Sequence, residues 1–191
     1  MISSEEKKIT REKVAKPLLW LGMVSMSMLF AGMTSAYVVS LGKGGWLIFD
    51  LPQLFYISTA IIILSSVTMN WAVSSAKNNN YKNVKLASLI TLILGLAFVF
   101  CQVKAWGTLV DQKIFYGGKD SNAAGSYMYM LTFLHLAHMV GGIITLSVVW
   151  INSTRNKYNT ENLLGIKLCA IFWHFLDVLW IYLFLFLLFV R

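Results

Sequence analysis

The chain has 191 residues, 58% of them hydrophobic, with a mean hydropathy of +0.67. That balance excludes an ordinary soluble domain and points to an integral membrane protein. A formal charge of +8 would suggest nucleic acid in a soluble chain, but no groove-reading motif accompanies it. The basic residues lie in short segments between apolar runs, where they report orientation and contact with anionic headgroups.

Residues 1–17 are polar and mixed in charge, which predicts a solvated tail. Their opening, Met1-Ile2-Ser3-Ser4-Glu5-Glu6-Lys7-Lys8, is too polar and acidic for a cleaved signal peptide, so the first apolar run is expected to persist. Pro17 stands just before that run, where a starting helix does not need its amide hydrogen. The first span covers about 18–40 and carries Gly22, Ser25, Ser27, Ala31, Gly32, Ser35 and Ala36, small residues that permit close helix approach. After a glycine-bearing turn over 42–50, Asp50 as a cap and Pro52 in the first turn open a second span, about 52–75.

The polar run 77–82 predicts a hairpin loop. The third span, about 86–109, holds Gln102 and Lys104 in its final third, with Lys104 close enough to the end to snorkel. The longest connection, 110–124, leads to a fourth span at about 125–151 that contains His135 and His138. A loop over 152–162 precedes the fifth span, about 165–190, whose length exceeds the roughly 20 residues a helix needs to cross hydrocarbon. The fold class is therefore all-α: a polar tail and a single membrane domain, 18–191, built as a five-transmembrane-helix bundle.

Lysine and arginine placement orients it. The tail holds Lys7, Lys8, Arg11, Lys13 and Lys16, the second loop Lys77, Lys82 and Lys85, and the fourth loop Arg155 and Lys157, with Lys167 adjoining. The opposite side holds only Lys43, Lys113, Lys119, Arg191 and Lys104, which predicts a cytoplasmic N-terminus and an external C-terminus. Trp20, Trp46 and Trp150 near span ends read as belt residues, and Cys101 and Cys169, in apolar segments, as inert buried thiols.

Asp177 is the one acid inside an apolar segment. At mid-bilayer a carboxylate costs at least about 2.5 kcal/mol, so it is expected to face protein and have a partner. His174 and Asp177 share a helical face, as do His135 and His138, and both pairs fall near mid-membrane depth. Because short-looped helices pack as antiparallel neighbours, the spacing predicts one polar cluster of His135, His138, His174 and Asp177 between spans four and five. Pinning two helices together is the plainest role for it. A proton relay would need a chain of further acids, and a metal site of three histidines would need an entry path. A single bis-histidine haem, as in a small b-type membrane cytochrome, remains the alternative. No nucleophile with its base, phosphate loop or paired carboxylates mark an active site. Trp173 and Trp180, one heptad apart and deep in the last span, predict packing against a helix or lipid.

Three stretches carry a family resemblance. The run Phe172-Trp173-His174-Phe175-Leu176-Asp177-Val178-Leu179-Trp180-Ile181-Tyr182-Leu183-Phe184 is very specific. Thr132-x-x-His135-x-x-His138 with Gly142, and Leu94-Gly95-x-x-Phe98-x-x-x-Gln102-x-x-x-Trp106, are moderately so. Gly22-Met23 with Phe30-Ala31-Gly32 and Ala36-Tyr37 adds a weaker match, while the second span matches in length only. Together they resemble subunit III of the haem–copper respiratory oxidases in its five-helix form.

The resemblance implies a non-catalytic subunit of a bacterial inner-membrane complex that reduces oxygen to water and pumps protons. It would sit beside subunit I and the other subunits, binding no metal itself. The haems and copper would belong to the partner subunit, with phospholipid held against this one. His135, His138, His174 and Asp177 would then be structural, and Gln102, Trp106, Trp173 and Trp180 would make helix or lipid contacts. Where the family usually carries intramembrane acids, this sequence has Met26, Ala105 and Lys167, which argues against proton delivery through its own carboxylates.

Overall fold

Long apolar runs with no interior breaker but Pro17 fold as five helices: α1 (Ser4–Leu41), α2 (Gln53–Lys77), α3 (Tyr81–Asp111), α4 (Ala123–Thr154) and α5 (Leu164–Phe189). The computed structural model describes residues 4–42, 51–118, 122–155, 158 and 163–190, with the backbone alone over 4–12. The expected cap Asp50, the belt residue Trp46 and the orienting residues Lys43, Lys119, Lys157 and Arg191 lie outside the described residues, as do the side chains of Lys7, Lys8 and Arg11. Each helix contains a stretch long and apolar enough to cross a membrane, and no strand occurs among the described residues.

Two expectations are corrected. Pro17 does not stand at the start of its helix, because α1 begins at Ser4 and runs through Pro17 without ending. Glutamate, lysine, arginine and alanine are strong helix formers, and a proline inside a helix removes one backbone hydrogen bond without always breaking it. Pro52 is not in the first turn of α2 but at its N-cap, with φ −54° and ψ 137° and no side-chain cap. The next two helices start on asparagines. Asn80 Oδ1 accepts from Asn83 N at 3.3 Å, and Asn122 Oδ1 accepts from Ala124 N at 2.9 Å.

Short connections make successive helices antiparallel. α2 and α3 pair most extensively, α3 packs on α4, α4 on α5, and α5 closes the ring against α2. α1 lies outside this four-helix ring and, among the described residues, touches only α4 and α5. At the centre every helix contributes one ring. His135 of α4 lies 5.2 Å from Trp180 of α5, 5.9 Å from Phe98 of α3 and 6.5 Å from Phe30 of α1, while Trp180 also meets Phe55 of α2 at 5.7 Å. Most of these pairs are edge-on, the arrangement aromatic quadrupoles favour.

Backbones approach most closely where α5 presents Trp173. A Cβ on Gly95 would stand 2.6 Å from the Trp173 ring, and one on Gly142 would stand 2.8 Å from Leu176 Cδ1. Close helix approach rather than backbone angle therefore favours glycine at both positions, most of all at Gly95, where the neighbour is a rigid ring.

Candidate functional site

Four hydroxyl side chains inside the bundle follow one recurring pattern. A serine or threonine hydroxyl donates to a carbonyl one turn back on its own helix and accepts an N–H from a neighbouring helix. Ser65 donates to Ile62 O at 2.8 Å and accepts from Trp173 Nε1 at 3.0 Å. Thr59 donates to Phe55 O at 2.7 Å and accepts from Trp180 Nε1 at 3.0 Å. Ser58 donates to Phe55 O and accepts from Gln102 Nε2 at 2.9 Å. On α4, Thr132 donates to Met128 O and accepts from Trp106 Nε1 at 3.1 Å. Gln102, Trp106, Trp173 and Trp180 thus all make helix-to-helix contacts, and the last two are fully buried.

The four residues expected to cluster between α4 and α5 do not come together as one group. His174 and Asp177 sit on the side of α5 that faces α2. His174 Nδ1 lies 2.7 Å from Ser66 Oγ, its Nε2 lies 3.1 Å from Asn70 Oδ1, and Nδ1 is 3.7 Å from Asp177 Oδ2. An amide oxygen only accepts, so Nε2 carries the proton and Nδ1 accepts from the Ser66 hydroxyl. Asp177 is 3% exposed, and neither carboxylate oxygen has a hydrogen-bond partner among the described residues. His135 is sealed among Phe30, Phe98 and Trp180 with neither nitrogen partnered among the described residues, and His138 donates from Nδ1 to Leu134 O at 2.7 Å against the Phe30 ring.

The separation follows from helical rotation. At about 100° per residue, His174 stands about 100° round α5 from Trp173 and reaches Ser66 and Asn70 of α2, while Trp180 meets the His135 ring. Among the described residues no three histidine, cysteine, aspartate or glutamate side chains converge into a metal-ligand set.

The residues not anticipated lie on α2. Ser58, Thr59, Ser65, Ser66 and Asn70 supply the partners for Gln102, Trp180, Trp173 and His174. The seven-residue spacing of Ser58 with Ser65 and of Thr59 with Ser66 was the one available signal, and Asn70 stands outside it.

Residues 19–190 match the family profile described as Cytochrome c oxidase subunit III. The chain belongs to the cytochrome c oxidase subunit III family. It is 28% identical over 172 residues to the cytochrome c oxidase subunit 3 of Corynebacterium diphtheriae, covering 86% of this chain and 82% of that one. It is 26% identical over 171 residues to that of Bacillus sp. strain PS3, covering 86% and 80%. The probable cytochrome c oxidase subunit 3 of Rickettsia felis is 32% identical over 143 residues, covering 72% of this chain and 47% of that protein. The chain therefore spans about half the length of its Rickettsia relative. Family and helices together make it a multi-pass bacterial membrane protein.

Proposed function

We propose that this chain is a non-catalytic subunit of a haem–copper terminal oxidase that braces the catalytic subunit I and holds phospholipid against it. In that complex oxygen would be reduced to water with proton pumping, and the haems and copper would reside in the partner. The N-terminus would lie in the cytoplasm and the C-terminus outside, as the lysine and arginine bias favours. One observation carries the reading: Gln102, Trp106, Trp173, Trp180 and His174, from two of its family-like motifs, are engaged in joining helices to one another. A scaffold whose polar groups bond across helices is suited to hold a partner in shape rather than to turn over a substrate.

The bis-histidine cytochrome finds no support in the side chains. His135 is enclosed by rings inside the bundle, whereas His174 points to α2 and is hydrogen-bonded through both nitrogens. A tag on this chain should capture, in mild detergent, a complex with an a- or o-type haem difference spectrum that departs when the chain is stripped away. A b-type spectrum that stays with the lone chain and vanishes in His174→Ala would refute the proposal.

A further inference from the structure

One polar group of the helix seam lies on the outside of the bundle. Asn70 is exposed on α2, seven residues before the helix ends at Lys77, or about 10 Å along the axis. With 25 residues α2 measures about 37 Å, so only a few ångströms at each end extend beyond a hydrocarbon layer of roughly 30 Å. Asn70 therefore stands within the apolar layer. Its Oδ1 is occupied by His174 Nε2, but neither hydrogen on its amide nitrogen meets an acceptor among the described residues. On the same stretch of α2, Ile63, Val67 and Trp71 are exposed and apolar, as are Ile171 and Val178, within one turn of His174 on α5. Lipid chains suit those neighbours and offer nothing to the amide.

The shape of this region is also specific. α1 and α2 each pack on α5 but not on one another among the described residues, so the outer face of α5 is the floor of a trough with a helix on either side. On the α1 side the floor deepens into a groove of about 340 Å³ lined by Ser27, Phe30, Ala31, Val178 and Tyr182. The α2 side carries Asn70 and the half-buried His174.

We infer that this trough seats a transmembrane helix of a neighbouring oxidase subunit, one whose side chain accepts hydrogen bonds from the Asn70 amide. The inference rests on the oxidase-subunit reading and specifies the face on which the partner docks. The occupant is a helix rather than a lipid because the amide needs an acceptor at a depth where acyl chains have none. It is a residue bearing a carbonyl, carboxylate or hydroxyl oxygen that fits there.

The test uses the intact complex. A photoreactive p-benzoylphenylalanine at Val67, which is 62% exposed and one turn from Asn70, should form an adduct with another oxidase polypeptide, identified by mass spectrometry. Adducts with lipid alone, with a second copy of this chain, or with a polypeptide foreign to the oxidase would overturn the inference. Asn70→Leu should release the chain from the complex several-fold faster in detergent. Ser66→Ala, which takes a bond from His174 but spares the exposed amide, should not. Equal release from both variants would reduce the seam to internal packing and overturn it. Capture of a complex without a haem–copper subunit would instead refute the oxidase reading itself, which keeps the two failures distinct.

Discussion

Trp173 places an indole N–H in the middle of the bundle, and Ser65 accepts it while donating to Ile62 O. Ser65→Ala leaves that N–H unpaired in a dry site. Polar contacts between membrane helices average about 0.6 kcal/mol, and a stranded buried donor costs about 1–3 kcal/mol, so a loss near 1 kcal/mol is expected. Thermal unfolding of the purified chain in detergent measures it, and an unchanged midpoint would count against the bond. Gly95 and Gly142 give a second contrast. An added Cβ at Gly95 meets the rigid Trp173 ring at 2.6 Å, whereas at Gly142 it meets the free end of Leu176 at 2.8 Å. Gly95→Ala should therefore destabilise by about 1–3 kcal/mol and Gly142→Ala by clearly less, since only Leu176 can swing aside. The same unfolding assay ranks them. The donors Trp173, Trp180 and Gln102 were legible in the sequence, but their acceptors on α2 were not. A serine in an apolar run reads equally well as a small spacer, and only the neighbour's position reveals which role it has.

The helices differ in how firmly they are held. α2 to α5 close a ring, while α1 rests on α4 and α5 through Phe30, which meets His135 and His138, and through Thr34 Oγ1, 3.0 Å from the Tyr182 hydroxyl. Truncating Phe30, only 1% exposed, should loosen α1 before anything else. Hydrogen–deuterium exchange of Phe30→Ala should rise in α1 and stay unchanged in α2 and α3, and a uniform rise would contradict this hierarchy. The α4–α5 connection offers a pH test. Tyr158 packs over Gly165, and burial raises its phenol above the usual 10.0, partly offset by a hydrogen bond with Asn152. The folded chain thus holds this proton more tightly than the unfolded chain. Its contribution is whole below pH 10 and falls as pH rises above it, because the unfolded state then ionises first. Tyr158→Phe should flatten the alkaline decline of stability, read as melting midpoint against pH.

At the scale of the whole molecule, the polar groups of Trp173, His174 and Trp180 on α5 converge on one neighbour, α2. Trp173 and Trp180 fill the ring, and His174 and Asp177 serve the α2 seam. Asp177→Asn preserves volume and removes a carboxylate that accepts no hydrogen bond among the described residues. The variant complex should lose subunit content or helix packing while still consuming oxygen. Normal subunit content with oxygen consumption abolished would assign Asp177 a part in the chemistry. The sequence by itself determined the number of helices, their alternation and their family, because apolar length and motif spacing are local properties of the chain. Only the tertiary structure decided that α1 stands outside a four-helix ring, and that His135 and His138 are parted from His174 and Asp177. Depth follows from counting residues along one helix, but which neighbour a side chain meets depends on the rotation of two packed helices about their own axes.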